Sequence, residues 1–134
     1  MAFPMITVYS ADRTVQRLGP ARPAMFTGVQ NAVVDLATDT LNQAIIAAPG
    51  AGHALWVYGI LMQADASAGT VRLEESGGAA LTGIIAVSDE RGFALPLSGD
   101  VAMPWLKLGE NQGLSADTVG CSIDGVVVYA IVDV

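Results

Sequence analysis

The chain carries one histidine, His53, and one cysteine, Cys121. Serine-type hydrolysis needs a base held by an orienting carboxylate, and only His53 could be that base. No Gly-x-Ser-x-Gly elbow accompanies it; Ser98-Gly99 reads as part of a turn. One His and one Cys cannot make a zinc set. Asp65, Glu74, Glu75, Asp89, Glu90, Asp100, Glu110, Asp117 and Asp124 fall singly or in pairs at turns. Paired carboxylates could serve a glycosidase and clustered turn aspartates could bind calcium, but no Asp-x-Asp-x-Asp-Gly spacing is present, so a solvated rim is the better reading. The glycines have no P-loop or Gly-x-Gly-x-x-Gly context. The expectation is a protein that is not an enzyme and holds no cofactor or metal.

Four aromatic residues could instead bind. Trp56, Tyr58, Trp105 and Tyr129 could line a sugar site, with Trp105 and His53 at the ligand rim. Large amphipathic rings serve equally as anchors in a core or interface. Aromatic residues are only 6% of the chain, and these include members of its two most apolar stretches, which favours the anchor reading.

The first of those stretches, Ala54 to Gln63, is the element the others must be arranged around. It is too short to span a membrane, which takes about 20 apolar residues. It follows Pro49-Gly50-Ala51-Gly52 and is rich in aromatic and β-branched residues, so it reads as a buried strand. Simple alternation puts Leu55, Val57, Gly59 and Leu61 on one face and Trp56, Tyr58, Ile60 and Met62 on the other. Both faces are apolar, so both need covering. The closing stretch, Val126 to Val132, has the same character.

Composition points the same way. The 134 residues are 52% hydrophobic and 14% charged, against a usual charged share of about 25%. So few charges imply exposed apolar patches, which mark interaction surfaces. The net charge of −7, with six scattered basic residues, argues against nucleic acid and against anionic lipid. The N-terminus lacks the basic and long apolar regions of a signal peptide.

Residues 1–30 read as an extended arm, since Pro4, Pro20 and Pro23 prevent regular packing. Phe3, Met5, Ile6, Val8 and Tyr9 would contact a neighbour. Residues 31–134 read as one all-β domain. Strands are expected near 31–36 and 40–47, at 54–63, 70–75, 80–87 and 93–97, at an edge within 101–108, and at 114–117. Two more, 119–123 and 126–132, flank Asp124-Gly125, a hairpin-turn signal. Short strands at this spacing with polar turns indicate a sandwich or barrel.

The order NQAIIAAPGAGHALWVYGILMQA, GTVRLEE, ALTGIIAV, LP…PW, NQGLSA and DGVVVYAIV resembles small jelly-roll proteins of tailed-bacteriophage virions, among them head decoration (cement) proteins, over about residues 40–134. The resemblance implies a two-sheet jelly-roll-like β-sandwich of tumour-necrosis-factor type, a homotrimer, the major capsid protein as partner, and a place on the capsid surface. A tail or fibre position fits the same fold. If the two apolar strands are neighbours, as the resemblance implies, Trp56, Tyr58, Val127, Tyr129 and Ile131 are candidates for the trimer interface.

Overall fold

The computed structural model describes residues 26–88 and 90–134; the arm residues Phe3, Met5, Ile6, Val8 and Tyr9 lie outside them. The described residues contain no helix and nine strands. These are β1 (Phe26–Leu36), β2 (Gln43–Ile46), β3 (His53–Ala64), β4 (Gly69–Glu75), β5 (Ile85–Val87), β6 (Gly92–Leu95), β7 (Leu106–Lys107), β8 (Leu114–Val119) and β9 (Ile123–Asp133). The first five residues of β1 fall where the sequence suggests arm.

Two antiparallel sheets pack face to face. The first runs β1-β9-β3-β6, with β7 also on β3, and the second runs β2-β8-β4-β5. Successive strands alternate between the sheets, except that β4 and β5 are neighbours in the second and β6 and β7 share an edge of the first. This is the double wrapping of a jelly roll, as the resemblance implies. The core lies between the sheets. Val34, Leu36, Leu55, Val57, Ile60, Met62, Ile123 and Val127 project from the first, against Ile46, Val71, Leu73, Val87, Leu114 and Ala116 from the second.

One irregularity in β3 explains how a strand apolar in both registers is accommodated. Val128 pairs with Gly59 and Tyr129 with Val57, so Tyr58 is an extra residue, a β-bulge. The bulge switches which parity faces inward. Leu55 and Val57 point to the core before it, and Ile60, Met62 and Ala64 after it. The two faces expected from simple alternation are therefore each split, and most of the run is buried within one chain.

The expected hairpin at Asp124-Gly125 does not form. Both residues lie inside β9, and the preceding strand, β8, belongs to the other sheet. The turn between them uses Gly120, at φ 80°. Gly125 serves close packing instead: a Cβ there would fall inside the van der Waals surface of the Leu61 carbonyl oxygen. Likewise β1 and β2 do not pair. Their connection crosses between the sheets through Asp39 and Asn42, both in the left-handed region. Only Ile85–Val87 of the expected strand 80–87 is regular, with a single further bridge, Glu74 to Ala80.

The outer face of the second sheet is polar. Arg72 donates to Glu74 Oε1 at 2.8 Å and to Asp117 Oδ2 at 3.0 Å. Asp117 also accepts from the Asn42 backbone N–H at 2.7 Å. That N–H bond, with the Glu74 and Arg72 contacts, holds the Asp117 carboxyl below its ordinary 3.8, although partial burial opposes the shift. A lowered native value means the contribution of Asp117 to stability is complete above pH 3.8 and is lost as pH falls through the native value. Asp117→Asn should therefore flatten the acid limb of stability against pH below about 4. Urea titrations at a series of pH values measure this, and an unchanged limb would contradict it.

Candidate functional site

The outer face of the first sheet is apolar where a sandwich face normally meets water. The register lays it out in rows. Val33, Val126, Leu61 and Ala94 stand opposite one another on β1, β9, β3 and β6. The next row holds Asn31, Val128 and Gly59. Val33 is 79% exposed and Leu61 53%, with Val126 and Val128 half-buried between them. The chain returns to contact distance of Gly59: a Cβ there would lie 3.6 Å from both the Leu97 Cα and the Val128 Cβ, an ordinary packing distance. Leu97 thus continues the apolar wall from the adjoining edge.

That edge is interrupted. β6 and β7 both pair with β3, and residues 96–105 between them bulge out of the ladder. The excursion is pinned at both ends by backbone bonds, Ser98 N–H to Tyr58 O at 2.8 Å and Trp105 N–H to Val57 O at 2.8 Å. Inside it, Ser98 Oγ donates to Met103 O at 2.8 Å and Trp105 Nε1 donates to Pro96 O at 2.7 Å. Asp100, the only charged residue in the excursion, turns its carboxylate back onto the Ala102 N–H. The result is a fixed knuckle that holds Leu97, Val101, Met103 and Trp105 out to solvent, Met103 at 67%. Its ordering cost is met within the fold, which favours binding by a rigid surface.

The sequence-nominated interface residues are distributed differently from expectation. Trp56 is on the outer face, half-buried, with Lys107 Nζ 4.7 Å above its ring. Tyr58 is buried at the bulge, and its hydroxyl donates to Val101 O at 2.6 Å, supporting the knuckle from below. Val127 is fully buried in the core, and Tyr129 and Ile131 pack against that core. These three were grouped correctly by alternation but assigned to the wrong side, because nothing in β9 itself says which face meets the second sheet. Val126, Val128, Ala130 and Val132 share the outward side, the first two half-buried and the last two buried. The Tyr129 hydroxyl lies 3.3 Å from Gln30 Oε1.

Trp105 and His53 do not form one rim. His53 begins β3, and Trp105 bonds to Val57 four residues on, about 13 Å along a strand. His53 Nδ1 sits 2.9 Å from Asp133 Oδ1 at the far end. Of the four aromatic rings, Tyr58 is buried and Tyr129 packs against the core, which leaves Trp56 and Trp105 open to a ligand. Among the described residues, no three His, Cys, Asp or Glu side chains are grouped to hold a metal ion. Cys121 is buried, and burial first, then Asp65 and Asp39, push its thiol upward, away from the reactive thiolate. Sequence reasoning missed the knuckle. Its signal was the pair Pro96 and Pro104 bracketing Leu97, Val101 and Met103, too many large apolar residues for a solvated loop.

The chain matches no family model, no curated protein and no solved structure. Among the described residues, no helix is long and apolar enough to cross a membrane.

Proposed function

We propose that this chain is a non-enzymatic structural protein of a bacteriophage virion, which trimerises and decorates or cements the capsid by binding across junctions of its major capsid protein. The observation that supports an assembly role is the outer wall of Val33, Leu61, Val126 and Val128 together with the preorganised knuckle beside it. The capsid as destination rests on the sequence resemblance and on the jelly-roll wrapping that accompanies it. The trimer would cover the wall, leaving the knuckle to reach into the gap between capsomers. At roughly 25 cal/mol per Å² of buried apolar surface, contacts repeated over a shell accumulate large stabilisation, less the ordering cost of each binding event. A sugar-binding module is less well supported, because Tyr58 is buried and Tyr129 packs against the core, leaving two of the four rings to meet a ligand.

Pelleting with empty heads of tailed phages tests the reading. The intact protein should co-sediment at a fixed ratio to the major capsid protein. Met103→Asp, a change at an exposed position, should reduce that at least tenfold while leaving the fold intact. Equal pelleting of the variant, or none by the parent, would contradict it.

A further inference from the structure

Among the described residues, the four edges of the two sheets are not equally protected. In the second sheet the edge strands β2 and β5 are four and three residues long. In the first sheet the β6–β7 edge consists of four and two residues separated by the knuckle. Short or interrupted edges of this kind do not template pairing. The remaining edge, β1, is 11 residues long and has no proline and no lysine. Gly28, in the left-handed region, marks a break near its start, and Val29 to Leu36 is regular. Gln30, Asn31, Val33 and Asp35 are all exposed.

We propose that β1 pairs antiparallel with β1 of a second copy, about a two-fold axis at Val33, joining the two first sheets into one. A two-fold axis normal to the sheet keeps each residue on its own face, so the axis must pass through a residue and not between two. The chemistry of the edge then selects the register. Centred on Val33, the pairing sets Val33 against the partner's Val33 and Asp35 against the partner's Asn31. Centred on Ala32, it would set Asp35 against Val29. Centred on Asn31, it would set Asp35 opposite residue 27 and leave it without that amide.

Two observations favour a second copy as the occupant. Asp35 stands directly opposite Asp124 within one chain, a like-charged cross-strand pair that is unfavourable. An Asn31 amide from the partner would donate into it, a complementarity supplied by the same eight residues. The apolar row would also run unbroken through both copies, Leu61, Val126 and Val33 meeting the same three residues of the partner. This contact uses the edge of the sheet, not its face, so it stands apart from the trimer.

Cysteine cross-linking decides it. Opposite residues in an antiparallel pair have Cα atoms about 4.5–5.5 Å apart, within disulfide reach. The native Cys121 is buried and does not compete. Under mild oxidation Val33→Cys should run mainly as a two-chain band on a non-reducing denaturing gel. Asn31→Cys and Asp35→Cys should each remain single chains but link when mixed. Leu61→Cys, on the wall and two strands from the edge, should not link through this contact. Val33→Cys without a two-chain band, or Asn31→Cys linking to itself as readily as Val33→Cys, would overturn the proposal. A gel in which Leu61→Cys links and Val33→Cys does not would leave the face contact standing and remove the edge contact.

Discussion

Gly125→Ala should cost the fold about 3 kcal/mol or more, a large share of the 5–15 kcal/mol that holds a domain together. The reason is backbone proximity. β9 lies between β1 and β3, and Gly125 pairs with Met62 on one side and Val34 on the other. An added methyl group would enter the space of the Leu61 carbonyl oxygen, and the next atoms it meets are also main chain. A flexible side chain could yield, but a main-chain carbonyl in the centre of a sheet cannot move without breaking ladder bonds. Gly99→Ala is the control, because nothing lies within 4 Å of a Cβ at that position. Thermal unfolding followed by circular dichroism should show a midpoint lowered by roughly 10 °C or more for Gly125→Ala and little change for Gly99→Ala. Equal midpoints would mean that β9 and β3 do not approach as described.

Gly125 also shows why parts of the fold were legible in the sequence and others were not. Asp-Gly between two apolar runs is a strong turn signal because the turn needs a left-handed residue. A glycine required by a close strand approach leaves the same mark in the sequence, and only the register tells the two apart. The strands themselves were readable. Alternation in Thr70 to Glu75, and the apolar runs at Ala54 to Gln63 and Val126 to Val132, correspond to β4, β3 and β9. The sandwich class followed from them. Which side of β9 faces inward did not, since Val126, Val128, Val127 and Ile131 are equally apolar. The bulge at Tyr58 was likewise invisible, because an extra residue in one strand is defined only by its partner. The excess of apolar surface was recognised, but it was placed on Val127, Tyr129 and Ile131, which fill or line the core. The surface that remains exposed belongs to their neighbours and to a knuckle read as an edge strand.

Leu61→Asp should dissociate the assembly without unfolding the chain. Leu61 is 53% exposed and outward on β3, between Val126 and Ala94, so a carboxylate there meets water in the single chain. Substitutions at such positions usually change stability by no more than about 0.5 kcal/mol. Covered by another subunit, the same carboxylate would be desolvated without a partner, a cost on the order of 3–5 kcal/mol. Each 1.4 kcal/mol is tenfold in an equilibrium constant, so the association constant per contact should fall at least a hundredfold. Tyr129→Asp would not separate these effects, because Tyr129 packs against the core and its loss would disturb the fold itself.

Sedimentation equilibrium of the unmodified protein at micromolar concentration tests the central claim, that the outer face of the first sheet exists for assembly. One chain is 13.8 kDa. The account predicts a mass of three chains, or six where β1 edges also pair, collapsing toward smaller species in Leu61→Asp while the far-ultraviolet spectrum is unchanged. A mass of a single chain for the unmodified protein across the concentration range would contradict it.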